Sequence, residues 1–324
     1  MSPRLRVAPV LAVVALGVAL AVHMSPSRAG STADSAPARG VGGVAITVAD
    51  MDRAVAFYSS VLFFDKLSDV QRSGPTGEGV AGARVRVVTM RLGTERIELV
   101  EPLAPRERTS PADTRGNDRW FQHVAIVVND MDQAYLWLRR HHVVQISPEP
   151  QRLPDGNPNA EGVRAFSFED PDGHALEILQ FPPGRGDARW QRPSESVFLG
   201  IDHTGIVVEN TERSLAFYRD TLGLRVVAAS ESGPERERMT SGRGARLRIT
   251  TVRASQGPAI ELVEHLSPRE GRRDPENTSG TDLVRWQTLL LATDTDAVAA
   301  KLGIRRGLTA EDPDGHEVQL RTLK

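Results

Sequence analysis

The sequence predicts an α+β protein in which one strand-helix-strands unit occurs four times. Short apolar runs rich in β-branched residues are each followed by an amphipathic helical pattern and then by further strand patterns. Residues 48–58 are echoed at 208–218, with the Val, Arg and Ala-Phe-Tyr positions identical, and the turn sequence Asp-Pro-Asp-Gly-His occurs at 170–174 and again at 312–316. A repeat of this length indicates two related halves, each holding two related units.

The repeat predicts two domains, 40–182 and 198–324, joined by a Pro-, Gly- and Arg-rich linker at 183–197. The fourth unit is the shortest. Its first strand follows that of the second unit by 287 − 123 = 164 residues, whereas its last turn follows by only 316 − 174 = 142 residues. The fourth unit is therefore 164 − 142 = 22 residues shorter than the second between its first strand and its last turn.

Each unit begins with a predicted buried strand and continues into a predicted helix. The four strands are 40–48, 121–128, 201–208 and 285–292, and the four helices are 51–61, 131–140, 211–222 and 295–302. Strands such as 96–100 and 175–180 complete the units, and the Asp-Pro-Asp-Gly turns lead into the last strands of units two and four. His174 and His316 belong to these turns and are predicted to be exposed and structural.

The composition limits which partners and which kinds of active site the chain can have. The formal net charge of −2 gives no general attraction to nucleic acid, so we expect a small-molecule partner and a monomer or homodimer. The chain has no cysteine, which excludes a thiol nucleophile, a disulfide framework and a thiolate metal site. His, Asp and Glu remain as the available metal ligands.

The N-terminal residues 1–39 are predicted to be a signal peptide followed by a disordered leader. Arg4 and Arg6 precede an apolar run at 7–22, and small residues at 27–29 offer a cleavage site. This pattern predicts a secreted or extracytoplasmic protein. Translation from Met24 would instead give a cytoplasmic protein with a polar leader.

The motifs resemble those of the vicinal oxygen chelate superfamily, which includes glyoxalase I, type I extradiol dioxygenases, methylmalonyl-CoA epimerase and bleomycin-resistance proteins. The resemblance covers residues 40–322 and is carried by Ile-Glu-Leu-Val at 97–100 and 260–263, Leu-Glu-Ile-Leu at 176–179 and the Asp-Pro-Asp-Gly-His turns. It implies four βαβββ modules in two tandem domains, with curled mixed sheets around clefts.

The resemblance also implies ligand positions on the first and last strands of each module. These positions hold Gly43 and Glu98, His123 and Glu177, His203 and Glu261, and Gln287 and Gln319 in units one to four. Pairing within each domain would give two sites with incomplete ligand sets. Pairing across the linker, as in fused two-domain glyoxalases, would instead put His123, Glu177, His203 and Glu261 in one cleft. We expect the crossed pairing, because it concentrates every good ligand and leaves Gly43, Glu98, Gln287 and Gln319 in a degenerate cleft.

Two imidazoles and two carboxylates suit one divalent transition metal, Ni, Co, Zn, Mn or Fe. The resemblance to glyoxalase I then implies isomerisation or lyase chemistry through a metal-bound enediolate of a substrate with vicinal oxygens. In that interpretation Glu177 is the base and Glu261 the second catalytic carboxylate. Two alternatives stay open: an Fe(II) extradiol ring-cleaving dioxygenase, and a non-catalytic small-molecule binding protein of the bleomycin-resistance kind.

Overall fold

The computed structural model describes the chain from Ala36 to Leu323 with gaps. The described residues are 36–73, 84–103, 114–120, 122–153, 161–231, 246–273, 282–305 and 307–323. Residues 1–35 of the predicted signal peptide and leader lie outside this part, so the segment stays a prediction. Within the described ranges no helix combines the length and the apolar character needed to cross a membrane.

Every unit has one helix directly after its first strand, as the sequence predicts. The helices are α1 (Met51–Ser60), α2 (Met131–Arg140), α3 (Thr211–Leu215), which continues as a π-helical segment (Ala216–Thr221), and α4 (Thr295–Lys301). Each begins after a side chain that accepts a hydrogen bond from the backbone N–H three residues on, at 2.8 to 3.0 Å. These caps are Asp50, Asp130, Asn210 and Asp294. They satisfy backbone N–H groups that a helix leaves without partners, which fixes where each helix starts.

The strands complete the four units. Unit one has β1 (Gly40–Thr47), β2 (Asp65–Ser73), β3 (Arg84–Leu92) and β4 (Glu95–Pro102). Unit two has β5 (Gln122–Val128), β6 (Val144–Gln145), β7 (Gln151–Arg152), β8 (Arg164–Glu169) and β9 (Ala175–Gln180). Unit three has β10 (Phe198–Val208), β11 (Arg225–Glu231), β12 (Arg246–Arg253) and β13 (Ala259–Ser267). Unit four has β14 (Trp286–Ala292), β15 (Thr309–Glu311) and β16 (Glu317–Thr322).

These strands form two mixed sheets, which confirms the α+β class with tandem modules. The first sheet runs β15-β16-β14-β1-β4-β3-β2 and joins units one and four. The second runs β11-β12-β13-β10-β5-β9-β8-β6, with β7 on β8, and joins units two and three. The central pairs, β1 with β14 and β5 with β10, are antiparallel. The sheets therefore pair the units across the linker, in the arrangement that the ligand positions favour.

The hydrophobic cores join the units differently from the sheets. One buried cluster includes Ile46 and Leu99 of unit one together with Ile126 and Ile178 of unit two. A second includes residues of units three and four, such as Leu262 and Leu290. Sheet hydrogen bonds and apolar cores thus connect the four units in a closed ring. Burial of apolar surface is the main stabilising term in such cores.

The Asp-Pro-Asp-Gly-His turns are internal joints, so the predicted exposure of their histidines is wrong. His174 is 4% exposed, and its Nδ1 lies 2.9 Å from Asp170 Oδ2 while its Nε2 lies 3.0 Å from the Leu283 carbonyl oxygen. The hydroxyl of Tyr58, from α1, donates to the same Asp170 at 3.1 Å.

The second half repeats this joint. His316 is 4% exposed and pairs with Asp312, and its Nε2 lies 2.7 Å from the Arg119 carbonyl oxygen. The Tyr218 hydroxyl donates to Asp312 at 3.1 Å. Each turn is therefore buried by a tyrosine from a helix of its own half and by a backbone carbonyl from the other half of the chain. Local sequence patterns do not reveal such long-range contacts.

Removing the tyrosine hydroxyls tests these joints. We expect Tyr58→Phe and Tyr218→Phe each to lower the free energy of unfolding by about 1.5–3 kcal/mol, because each loses one buried hydrogen bond to a carboxylate. The measurement is urea denaturation followed by circular dichroism. Tyr135→Phe is the matched control, since its hydroxyl makes only an exposed 3.4 Å contact with the Pro148 carbonyl oxygen. Equal effects of all three variants would contradict the structural role of the two joints.

Candidate metal centre

Two histidines lie next to each other because β5 and β10 pair in an antiparallel register. Gly205 is opposite His123, and His203 is opposite Ala125. Both imidazoles are buried and meet edge to face with ring centroids 5.5 Å apart. Gly205 makes this possible, since a Cβ built there would lie 2.0 Å from His123 Cε1. A larger residue at 205 would occupy the space of the imidazole ring.

Three of the four predicted ligands converge in this cleft. One ligand atom each from His123, His203 and Glu261 lies within 4.8 Å of the others, and among the described residues this is the one such cluster of three His, Cys, Asp or Glu groups. Nε2 of His203 lies 3.3 Å from Glu261 Oε2. All three residues are at most 2% exposed. Buried ionisable groups are expensive unless they pair or bind a metal, so this cluster has the character of a binding site.

The fourth predicted ligand, Glu177, lies in the same cleft but outside the cluster of three. It is on β9, next to Ala125 of β5, and is fully buried. Within the part of the chain that the structure describes, neither of its carboxylate oxygens has a hydrogen-bond partner. Burial raises the pKa of Glu177 to about 8; the charge of His203 opposes this, the charge of Glu261 adds to it, and the Ser167 hydroxyl lowers the pKa slightly despite the poor hydrogen-bond geometry.

The two histidines differ in charge. Burial, and then the positive charge of His203, lowers the pKa of His123 to about 3, so its imidazole is neutral at physiological pH. Burial would also lower the pKa of His203, but the carboxylates of Glu261 and Asp202 outweigh it and raise that pKa to about 9. In the metal-free protein His203 therefore holds a proton at the position facing Glu261. A cation would replace that proton with its own charge.

Neighbouring side chains support the cluster, and sequence reasoning missed them. Asp202 Oδ2 lies 3.0 Å from His203 Nδ1, and the Thr251 hydroxyl donates to Glu261 Oε1 at 3.3 Å. Ser167 lies directly opposite Glu177 on β8. The Asp-His dipeptide at 202–203 is a possible sequence signal, but strand alternation predicts that neighbours point to opposite faces. A bulge between Ile201 and His203 removes that alternation.

The other sheet holds the second set of predicted positions. Two of them, Glu98 and Gln287, are occupied by interactions with neighbouring side chains. Glu98 accepts from Arg321 Nη2 at 3.0 Å and lies 3.7 Å from Arg72 Nη2. The Gln287 amide donates to Glu317 at 2.7 Å. At Gly43, φ is 122° and a Cβ would lie 1.9 Å from the Arg96 carbonyl oxygen, so no ligand side chain fits there.

The donor set of the first cleft fits a divalent transition metal. It combines a neutral imidazole, a second imidazole whose Nδ1 is held by a carboxylate, and the carboxylate of Glu261. Two histidines and one carboxylate are a recurrent ligand set for such ions and leave further coordination positions open. A carboxylate behind the ligand histidine is the usual means of fixing its orientation and tautomer.

Comparison with known proteins identifies the family to which this fold and its candidate site correspond. The model of the Glyoxalase/Bleomycin resistance protein/Dioxygenase superfamily matches residues 40–178 and 200–320. A 2-epi-5-epi-valiolone epimerase from an Actinomyces species is 34% identical over 148 residues, which cover 44% of this chain and 79% of that protein.

Solved structures share the fold. Glyoxalase I from Zea mays superposes with a TM-score of 0.56 at 16% identity, over 87% of this chain and 91% of that one. A single-residue variant of the same enzyme gives a TM-score of 0.58 at 16% identity, over 87% and 91% of the two chains. At this level of identity the likeness is one of fold.

Filling the space beside His123 tests the geometry of the cluster. We expect Gly205→Ala to displace the imidazole and to weaken Co²⁺ binding by at least roughly tenfold, since the ring cannot keep its place beside a methyl group. Overpacking of this kind also lowers stability, typically by about 1–3 kcal/mol. Co²⁺ titration and thermal unfolding measure the two effects.

Gly42→Ala is the matched control, because the nearest atoms to its Cβ would be in the leucine side chains of the other sheet, Leu291 at 3.0 Å and Leu289 at 3.6 Å. Unchanged Co²⁺ affinity in Gly205→Ala would contradict the assignment of His123 to this site.

Proposed function

We propose that this chain, which belongs to the Glyoxalase/Bleomycin resistance protein/Dioxygenase superfamily, is a metal-dependent isomerase or epimerase that moves a proton next to a carbonyl group. The observation that carries the proposal is Glu177. Its carboxyl group is fully buried, has among the described residues only the Ser167 hydroxyl as a polar neighbour that affects its pKa by hydrogen bonding, and lies in the same cleft as a His-His-Glu cluster. A structural carboxyl would be paired, whereas a base must stay available to its substrate.

In this proposal His123, His203 and Glu261 hold one divalent ion, Ni, Co, Zn, Mn or Fe. When bound, such an ion polarises a carbonyl oxygen and lowers the pKa of the neighbouring C–H group. His123 needs no deprotonation to act as a ligand, because burial already keeps it neutral. His203 must lose a proton from Nε2, and Asp202 keeps the proton on Nδ1. Thr251 fixes the second oxygen of Glu261 by donating its hydroxyl hydrogen.

Glu177 is the proposed base. Its carboxylate takes the proton from a carbon that lies between a carbonyl and a hydroxyl group, and the C–H electron pair moves toward the carbonyl oxygen. Protonation of the same carbon by water from the opposite face, with Glu177 releasing its own proton to solvent, gives an epimer. Return of the proton by Glu177 to the former carbonyl carbon, while the hydroxyl proton moves to the other oxygen, gives an isomer. A pKa of about 8 suits a group that both accepts and returns a proton near neutral pH.

The substrate class that fits this chemistry is an α-hydroxy ketone or an equivalent compound with vicinal oxygens. The relative from Actinomyces, at 34% identity, is named as a 2-epi-5-epi-valiolone epimerase, which supports proton transfer over other reactions of the superfamily. A thiol hemithioacetal of methylglyoxal, the substrate implied by the likeness to glyoxalase I, belongs to the same chemical class. Both need one base beside a polarised carbonyl.

One observation favours a second candidate, an Fe(II) extradiol dioxygenase. The cluster within 4.8 Å contains two histidines and one carboxylate, which is a sufficient ligand set for such an iron site. The buried and unpaired carboxyl of Glu177 has no role in that reaction. We therefore place proton transfer first, and the identity of the bound metal separates the two candidates.

Metal content tests the site directly. We expect the protein purified without chelator to hold about one equivalent of a divalent metal, and His123→Ala and His203→Ala each to lose it, because both imidazoles contact the same ion. Elemental analysis measures the content. His141→Ala is the control, since His141 is exposed at the end of α2. A protein that takes up no divalent ion even when one is added would be a small-molecule binding protein instead.

Glu177→Gln tests the base. We expect this variant to keep its metal but to lose roughly 10²- to 10⁴-fold in the rate of proton exchange, because an amide cannot accept the proton. The assay follows deuterium uptake from D₂O into a polyhydroxylated cyclic ketone, and into the hemithioacetal of methylglyoxal and glutathione.

Glu98→Gln, a carboxylate of the other sheet at the position equivalent to Glu261, is the control for the chemical change and should leave the rate unchanged. Loss of the metal in Glu177→Gln would show that Glu177 is a ligand rather than the base.

A further inference from the structure

Asp202 connects the candidate metal centre to the segment between the two domains. Its Oδ2 lies 3.0 Å from His203 Nδ1, and its Oδ1 accepts a hydrogen bond from the indole N–H of Trp190 at 3.2 Å. Trp190 belongs to a short 3-10 helix, Ala188–Gln191, within the predicted linker. Asp202 is 4% exposed and Trp190 is 9% exposed, so these contacts are shielded from water.

The direction of each hydrogen bond follows from the donor inventory. An ionised carboxylate only accepts, so His203 Nδ1 must carry the hydrogen, and Nε2 is the nitrogen that faces Glu261. The indole N–H only donates, so Trp190 can hold one oxygen of Asp202 without competing for the other. Oδ1 is held by the indole and lies 3.8 Å from Arg253 Nη2, so the carboxylate cannot rotate freely and the second oxygen stays on the imidazole.

Trp190 is itself held in place by the first sheet. The guanidinium of Arg189 stacks over its indole ring at 3.9 Å and forms a short ion pair with Glu95, at the start of β4. Glu95 also accepts from the backbone N–H of Ile201 at 3.1 Å. Gly200 leaves room for both groups, because a Cβ there would lie 2.4 Å from Glu95 Oε2 and 2.9 Å from the indole ring.

We propose that Asp202 and Trp190 are positioning residues for His203, and that the linker helix is thereby a functional part of the metal centre rather than a tether. This inference rests on the proposed metal site. Neither residue contacts the ion; Trp190 acts on Asp202, and Asp202 acts on the imidazole. The degenerate cleft has lost the same arrangement, since Gly42 and Gly43 occupy the bulge of β1 that corresponds to Asp202 and His203 in β10.

A double-mutant cycle with Co²⁺ as the probe tests the arrangement. We expect Trp190→Phe to bind Co²⁺ roughly tenfold more weakly and Asp202→Asn roughly 10- to 100-fold more weakly than the parent, as is typical when the partner of a ligand histidine is removed. The double variant should bind no more weakly than Asp202→Asn, because Trp190 acts only through Asp202. The d–d absorption of bound Co²⁺ should change in both single variants, which a general loss of stability would not produce.

Trp137→Phe is the control for the indole. It makes the same chemical change and removes a 2.8 Å hydrogen bond to the Val61 carbonyl oxygen, at the end of α1 and not to any of the proposed ligands. It should leave the Co²⁺ affinity and spectrum unchanged. Circular dichroism confirms folding, and either single variant that folds is enough to test its own expectation.

The outcomes separate this inference from the proposed function. A parent protein that binds Co²⁺ together with a Trp190→Phe variant of equal affinity and spectrum would overturn the positioning role and leave the metal site standing. Fully additive losses in the double variant would overturn the route through Asp202. A parent that binds no Co²⁺ would contradict the metal site itself and, with it, this inference.

Discussion

The antiparallel pairing of β5 with β10 is the constraint on which the candidate site depends. It joins strands from the two halves of the chain and places Gly205 opposite His123. Because side chains alternate along a strand, a shift of one residue would turn either histidine away from the cleft. The register therefore sets the chemistry, and the apolar faces of both strands hold the register by packing into the cores behind the sheet.

Only one of the two clefts keeps a set of candidate metal-ligand side chains, although the same strand pairing occurs in both sheets. The two sheets are built from equivalent units, with β1 on β14 repeating the pairing of β10 on β5. In the first sheet, glycine and glutamine stand where the second has histidine, and arginines neutralise the remaining glutamate, Glu98. The duplicated scaffold keeps its backbone geometry, including the bulge, while only one copy keeps ligand side chains.

Electrostatics distinguish the two clefts further. In the degenerate cleft Glu98 pairs with arginines near the surface, so its charge costs little desolvation free energy. In the other cleft four ionisable groups are buried together, and burial alone would neutralise each of them. Burial lowers the pKa of His123 and raises that of Glu177. At His203, in contrast, the carboxylates of Glu261 and Asp202 outweigh burial and raise the pKa. A bound cation would offset the desolvation free energy of a buried, ionised Glu261.

The sequence by itself determined the α+β class, the four units and the strands that carry His123 and His203, because apolar periodicity, helix caps and turn residues act over a few neighbouring positions. It also favoured the pairing across the linker, since ligand types were unevenly distributed among the repeated positions. Only the tertiary structure decided that His174 and His316 are buried, that a bulge brings Asp202 behind His203, and that Trp190 of the linker reaches Asp202. These features depend on contacts between segments far apart in the chain, and on a backbone irregularity that breaks the alternation from which sequence patterns are interpreted.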